Sequence, residues 1–198
     1  RSMHLPPRGG VLGLSRLLPE EIAVVRAARV EPAFEPRRHV VSKTYRYVVF
    51  ESAVRDPFLE GRAWRIADRL NQIAMPRAAA HLTGTHDFAA FRGAADERTD
   101  TVRRILRVEV RRARSDPRLW ELVVEGDRFL FRMVRIIAGT LVEVGRGRLD
   151  ADATLRGIET KLRTELGVTA PAHGLYLDAI DLDVAPRDAW PNLTEAGA

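Results

Sequence analysis

The sequence contains no cysteine, which excludes disulfide bridges, thiolate zinc sites and cysteine nucleophiles and suits a reducing compartment. Lysine is almost as scarce. Lys43 and Lys161 stand alone among 32 basic residues, the rest being arginine. No apolar run approaches the roughly 18 to 20 residues that a membrane helix needs, and no apolar signal-peptide core opens the chain. A soluble, cytoplasmic protein without a membrane partner is therefore expected. The five histidines give no ligand set. His81 and His86 lack a neighbouring carboxylate to complete a metal site, so they read as solvated or capping residues and no metal is expected.

What the chain has is apolar content, 45% of 198 residues, enough for the core of one domain or two small ones. The formal net charge is +5. A basic surface suits a polyanion such as RNA; arginine replacing lysine throughout is also what a GC-rich coding sequence produces. Arg98, Arg103, Arg104, Arg107, Arg111, Arg112 and Arg114 crowd one stretch, and that clustering favours the first reading.

The pattern of elements is mixed. Leu5 to Gly13, rich in proline and glycine, predicts a loop; Leu14 to Leu18 predicts a helical turn, broken at Pro19 before a strand over Ile22 to Val25. Lys43 to Phe50 is β-branched and aromatic, a strand with Tyr45, Tyr47 and Val49 on one face. A helix is expected from near Pro76 through Leu82, with Gly84 as its cap. Leu106 to Val110 and Trp120 to Val124 alternate about a turn at Ser115-Asp116-Pro117, which predicts a hairpin whose arginine-bearing face meets solvent or phosphate. Leu130 to Val144 carries apolar residues at helical spacing on one face, with Gly145 as a stop. A second helix is expected over Ala153 to Leu166 after Asp150 or Asp152, and a last strand over Leu175 to Leu182. The fold class is α+β, a mainly antiparallel sheet flanked by helices.

Separated segments also resemble one family, in that family's order. Phe34-Glu35-Pro36-Arg37 leading into Lys43-Thr44-Tyr45-Arg46-Tyr47 is similar to F-x-x-R followed by K-x-Y-R-Y. Leu82 to Phe91 is similar to L-x-G-x-H-D-F-x-x-F. Phe129 to Gly139 resembles F-x-x-x-M-V-R-x-I-x-G, and Ala172 to Leu177 resembles A-x-G-L-Y-L. Upstream, Leu14 to Ile22 resembles L-N-x-x-L-P-x-D-I, with Ser15 where asparagine is usual. The chain is thereby identified with the tRNA pseudouridine synthase A family over residues 13 to 183.

The resemblance implies a pseudouridine synthase-like fold and a tRNA partner. The reaction cleaves the bond from ribose to uracil N1, turns the base and rejoins it through C5, with an aspartate doing the covalent work. The base must first leave its stack. By resemblance Tyr45 stacks on the uracil and handles the C5 proton, Arg135 pairs with the catalytic aspartate, and Leu175 forms the apolar wall of the pocket. Arg135 also reads as a guanidinium in an apolar helix that needs a carboxylate, or as a member of a solvent stripe with Arg132. Arg37, Arg98 and Arg103 are the further substrate-binding candidates. Action on the anticodon stem-loop as a homodimer, with neither metal nor organic cofactor, is likewise implied.

The family's G-R-T-D-x-G-V-H nucleophile loop has one near-match here, Glu97-Arg98-Thr99-Asp100-Thr101-Val102. It lacks both glycines and falls in a different place, so Asp100 reads as a decoy. The expectation is a synthase portion without its nucleophile, with residues 1–40 a remnant of an N-terminal region and linker, 41–183 a catalytic-type RNA-binding domain and 184–198 a loose tail. The alternative is an inactive RNA-binding module that retains the scaffold.

Overall fold

The computed structural model describes residues 7–25 and 30–184. These fall into two units, residues up to His39 together with those from Leu182 onward, and residues Val40–Asp181. The expected loose tail lies outside the described residues from 185 onward.

In the first unit, helix α1 (Pro7–Leu17) replaces most of the loop expected over Leu5 to Gly13. Pro7 takes the first helical position, where its missing N–H does no harm and its fixed φ favours the helix. Val11 is buried, which offsets the roughly 1 kcal/mol that a glycine costs inside a helix. The strand expected at Ile22 to Val25 is not formed. Ile22 instead closes a turn by donating its N–H to the Pro19 carbonyl at 2.9 Å, and among the described residues no strand lies beside it to supply a ladder. Further along, Phe34 packs its ring against His39, and Arg37 is exposed.

The second unit is built on one sheet. Its elements are β1 (Val40–Glu51), β2 (Trp64–Ile66), α2 (Ala74–Ala80), β3 (Gly84–Asp87), β4 (Val102–Arg112), β5 (Leu119–Gly126), α3 (Met133–Gly145), α4 (Ala153–Thr160) and β6 (Leu175–Leu182). The strand order is β2-β1-β5-β4-β3, with β6 also paired to β1. The pairs β1–β5, β4–β5 and β3–β4 are antiparallel, and β1–β2 is parallel. This is the mainly antiparallel α+β architecture that the alternation of residues predicts.

One face of the sheet carries the core. Tyr47 and Val49 on β1 lie opposite Leu122 and Trp120 on β5, and all four are buried. The other face is a ladder of charges. Arg107 meets Glu109 and Glu125, Arg111 meets Glu109 and Glu121, and Arg46 meets Glu121 and Asp178. The arginine-bearing face of the hairpin is therefore solvent-facing, as alternation predicts, but much of its charge is matched by carboxylates.

Helix α3 departs from the amphipathic expectation: every residue in it except Arg135 is buried. Such a helix belongs in the middle of a layer rather than on a surface. The segment around Val168 lies directly on it, where a Cβ on Gly139 would sit 1.7 Å from the Val168 carbonyl oxygen. Gly145, expected as a stop, is still helical, and the cap is Arg146. Helix α4 ends early, at Thr160, where Lys161 turns left-handed at φ 60°. Thr160 explains the stop: its hydroxyl donates back to the Arg156 carbonyl and accepts from the Leu162 N–H. Gly84 does not cap α2, which ends at Ala80 with His81 as its cap; it opens β3 at φ +122°, a conformation that disfavours any side chain. Among the described residues no helix is long and apolar enough to cross a membrane.

Candidate active site

Alternation along β1 puts Lys43, Tyr45, Tyr47 and Val49 on the inner face, and depth separates their roles. Tyr47 is wholly buried; its hydroxyl donates to the Pro171 carbonyl at 2.7 Å, and its ring meets Trp64 edge-on. Burial pushes its phenol far above the ordinary range, against a smaller lowering by the Arg135 charge. Two residues nearer the end of the strand, Tyr45 is half-buried. Phe129 meets its ring edge-on, with centroids 5.1 Å apart. Desolvation raises the Tyr45 phenol as well, so it is neutral at physiological pH.

Tyr45 and Phe129 form one side of a small pocket of about 90 Å³. Leu175, at the start of β6, and Arg135, Met133 and Arg132, at the start of α3, complete it. Residues far apart in sequence, Tyr45, Arg135 and Leu175, thus line one cavity. Leu175 is placed by the turn before it: a Cβ on Gly174 would stand 2.7 Å from Tyr47 Cζ, so only glycine lets the chain pass the buried tyrosine so closely.

Arg135 is half-buried on the one flank of α3 that reaches the pocket. Its Nε donates to the Ala170 carbonyl at 2.6 Å. Among the described residues no carboxylate pairs with it, and its two terminal nitrogens carry no hydrogen bond. A guanidinium fixed by a single neutral acceptor keeps most of its capacity for a planar, bidentate anion.

Arg132 is a pocket residue that sequence reasoning left on a solvent stripe. It sits just before α3 at φ 61°, a left-handed conformation that costs an ordinary residue roughly 1 to 2 kcal/mol. Two contacts hold this strained entry in place. Asp96 accepts the Phe131 N–H at 2.8 Å, and the Gly93 N–H donates to the Phe131 carbonyl at 2.9 Å. The Phe131 and Arg98 N–H groups, against a smaller opposing desolvation, hold the Asp96 carboxyl below the usual range. No periodicity announces a left-handed arginine: the helical spacing of apolar residues continues back to Leu130, although the helix itself starts only at Met133.

A larger cleft, of about 530 Å³, lies on the far side of Phe129, which it shares with the pocket. Lys43, Arg98, Arg103, Arg128, Glu97 and Asp100 line it. Asp100 is exposed; its carboxylate caps the Val102 N–H at 3.2 Å and stands 3.3 Å from Arg103. Arg98 is held by Asp96 at 3.1 Å. Arg103 is 3% exposed and faces inward with Ile105. Arg37 lies in the first unit, on an exposed turn. Of the two histidines, His81 bonds the Thr154 hydroxyl on α4 and His86 bonds the nearby Thr83 carbonyl.

The family model described as tRNA pseudouridine synthase matches residues 78–183. A tRNA pseudouridine synthase A of Pelobacter propionicus is 42% identical over 176 residues, covering 89% of this chain and 71% of that protein. The protein of the same name from Myxococcus xanthus is 42% identical over 193 residues, 98% of this chain and 71% of its own length. One from Bacillus pumilus is 41% identical over 175 residues, 88% of this chain and 70% of its own. The chain belongs to the tRNA pseudouridine synthase A family.

Proposed function

We propose that this chain supplies the base-binding wall and the aspartate-orienting arginine of a tRNA pseudouridine synthase acting on uridine in the anticodon stem-loop. A single observation carries the reading. Arg135 opens into the same pocket as Tyr45 and Leu175, with its terminal nitrogens unpartnered among the described residues. An aspartate brought to them would be held ionised and aimed by a bidentate pair, which is what a carboxylate nucleophile needs.

The other roles follow from the pocket's chemistry. Tyr45 offers a π-face to an unstacked uracil, and its neutral phenol can pass a proton at C5 but cannot serve as a resident base. Leu175 closes the apolar side and excludes water from the detached base. In this reading Asp100 is not the nucleophile, because its carboxylate is turned to Val102 and Arg103, and the reacting aspartate lies outside the described residues. Arg98 and Arg103 belong to the basic cleft that serves RNA binding, Arg37 of the first unit is a further RNA contact, and the protein works in the cytoplasm as a homodimer.

The test is tritium release from tRNA labelled at C5 of uridine. The 198 residues alone should release none, and a supplied segment bearing the G-R-T-D loop should restore release. Turnover by the chain alone that Asp100→Ala abolishes would overturn the proposal. Silence in both experiments, with RNA binding intact, would instead establish an inactive RNA-binding module.

A further inference from the structure

The cleft beyond Phe129 has a composition that the base pocket does not explain. We infer that it seats a backbone phosphate of the RNA strand whose base enters the Tyr45 pocket, with Lys43 and Arg128 as the direct ligands and Arg98 at its edge. The inference rests on the function proposed above and adds a subsite to it.

Placement comes first. Lys43 and Tyr45 are alternate residues on one face of β1, so their Cα atoms are about 7 Å apart. The ring of Phe129 borders both cavities. A nucleotide whose base stacks at Tyr45 has its sugar-phosphate within reach of the Lys43 ammonium. Lys43, one of two lysines in the chain, makes no ion pair among the described residues. A compact ammonium on a flexible stem suits a phosphate oxygen approached from one side.

Charge is the second argument. Four cations and two carboxylates line the cleft. Arg103 is buried beneath it, donating to the carbonyls of Val102 and Asp100, and its Nε is buried without any partner. Its counter-ion, Asp100, has a side chain 62% exposed and therefore well screened by water. A buried guanidinium with one N–H unsatisfied and a solvated partner leaves a net positive field in the cleft. Arg128 is held only loosely, 3.9 Å from Asp100 and 4.0 Å from Asp127, and is free to turn to a better anion. Arg98, fixed between Asp96 and the Phe129 carbonyl, is already ordered.

The experiment is a salt series of binding between the 198-residue chain and a fluorescein-labelled anticodon stem-loop RNA, read by anisotropy. Lys43→Ala and Arg128→Ala should each reduce the slope of log K against log salt by about 0.7 to 0.9, one phosphate's share. Lys43→Arg should restore it, and Arg111→Ala, already paired with Glu121 and Glu109, should leave it unchanged. Asp100→Asn keeps the cap on Val102 while removing a competing negative charge, so binding should tighten about threefold. Unchanged slopes in both alanine variants, weaker binding by Asp100→Asn, or no salt-dependent binding by the unsubstituted chain would each overturn the inference. Its failure is distinct from failure of the function proposed above. In the first case Tyr45 and Arg135 variants still lose turnover while the slopes stand still; in the second the slopes fall and turnover does not depend on those residues.

Discussion

Arg135 and Ala170 exchange two hydrogen bonds: the Ala170 N–H donates to the Arg135 carbonyl at 3.0 Å, and the Arg135 Nε donates to the Ala170 carbonyl at 2.6 Å. The second bond fixes the plane of the guanidinium and points its far edge into the pocket. Arg135→Lys keeps the charge and loses both the Nε donor and the fork. Stability should fall by about 1 kcal/mol in denaturant unfolding, and, on the function proposed above, turnover should fall about 100-fold or more. Lysine supporting normal turnover would show that charge without orientation suffices.

The two tyrosines of β1 should separate cleanly. Tyr45 makes no hydrogen bond through its hydroxyl among the described residues, so Tyr45→Phe should leave melting and RNA affinity nearly unchanged. Turnover should drop about 100-fold, the usual weight of a proton-handling group. Tyr47→Phe removes the bond to Pro171 and should destabilise the protein by roughly 1 to 2 kcal/mol. Equal turnover losses with equal melting losses in the two variants would deny Tyr45 a chemical role.

Gly139→Ala tests the seat of Arg135 from one turn away. The new methyl would overlap the Val168 carbonyl, so either α3 or the segment over it must move. Overpacking of this kind costs about 3 kcal/mol, and the displaced segment carries Ala170, the Arg135 acceptor. The expected result is a lower melting temperature with turnover lost even well below it.

Acid should loosen the α3 entry. The Phe131 and Arg98 N–H groups depress Asp96, and the Lys161 and Thr101 side chains depress Asp87. A carboxyl depressed on folding stabilises the protein fully above the unfolded value, about 3.9. That contribution disappears as pH falls through the lower, folded value. Stability should therefore hold near neutrality and decline below about pH 4, and Asp96→Asn should flatten that decline in a pH series of unfolding curves.

Sequence alternation exposed the sheet because a strand half-buried on one face writes its orientation into every second residue, as Tyr45, Tyr47 and Val49 do. The candidate pocket was legible for a different reason, since its residues fell within motifs that resemble a family. What escaped was tertiary. Apolar spacing in α3 reported one buried face, but the segment around Val168 buries the other side, and nothing local to either announces the contact. The pairing of Arg107 and Arg111 with glutamates depends on strand register, which composition does not carry. Arg103 escaped for a related reason. Alternation read from Leu106, Val108 and Val110 sends odd positions to solvent, but a register irregularity between Ile105 and Arg107 reverses the parity. Arg103 and Ile105 therefore face inward while Leu106 is exposed.

Tyr45 and Leu175 stand on hydrogen-bonded neighbours, β1 and β6, and Arg46 with Asp178 bolts the same two strands together by a forked ion pair at 2.8 and 3.2 Å. The aperture between those two walls is thus set by main-chain rungs, which do not stretch. A socket of this kind has no jaw to close on its guest. On the function proposed above, the adaptation falls to the nucleic acid, which must swing its nucleobase outward and deliver it edgewise into a slot of fixed width.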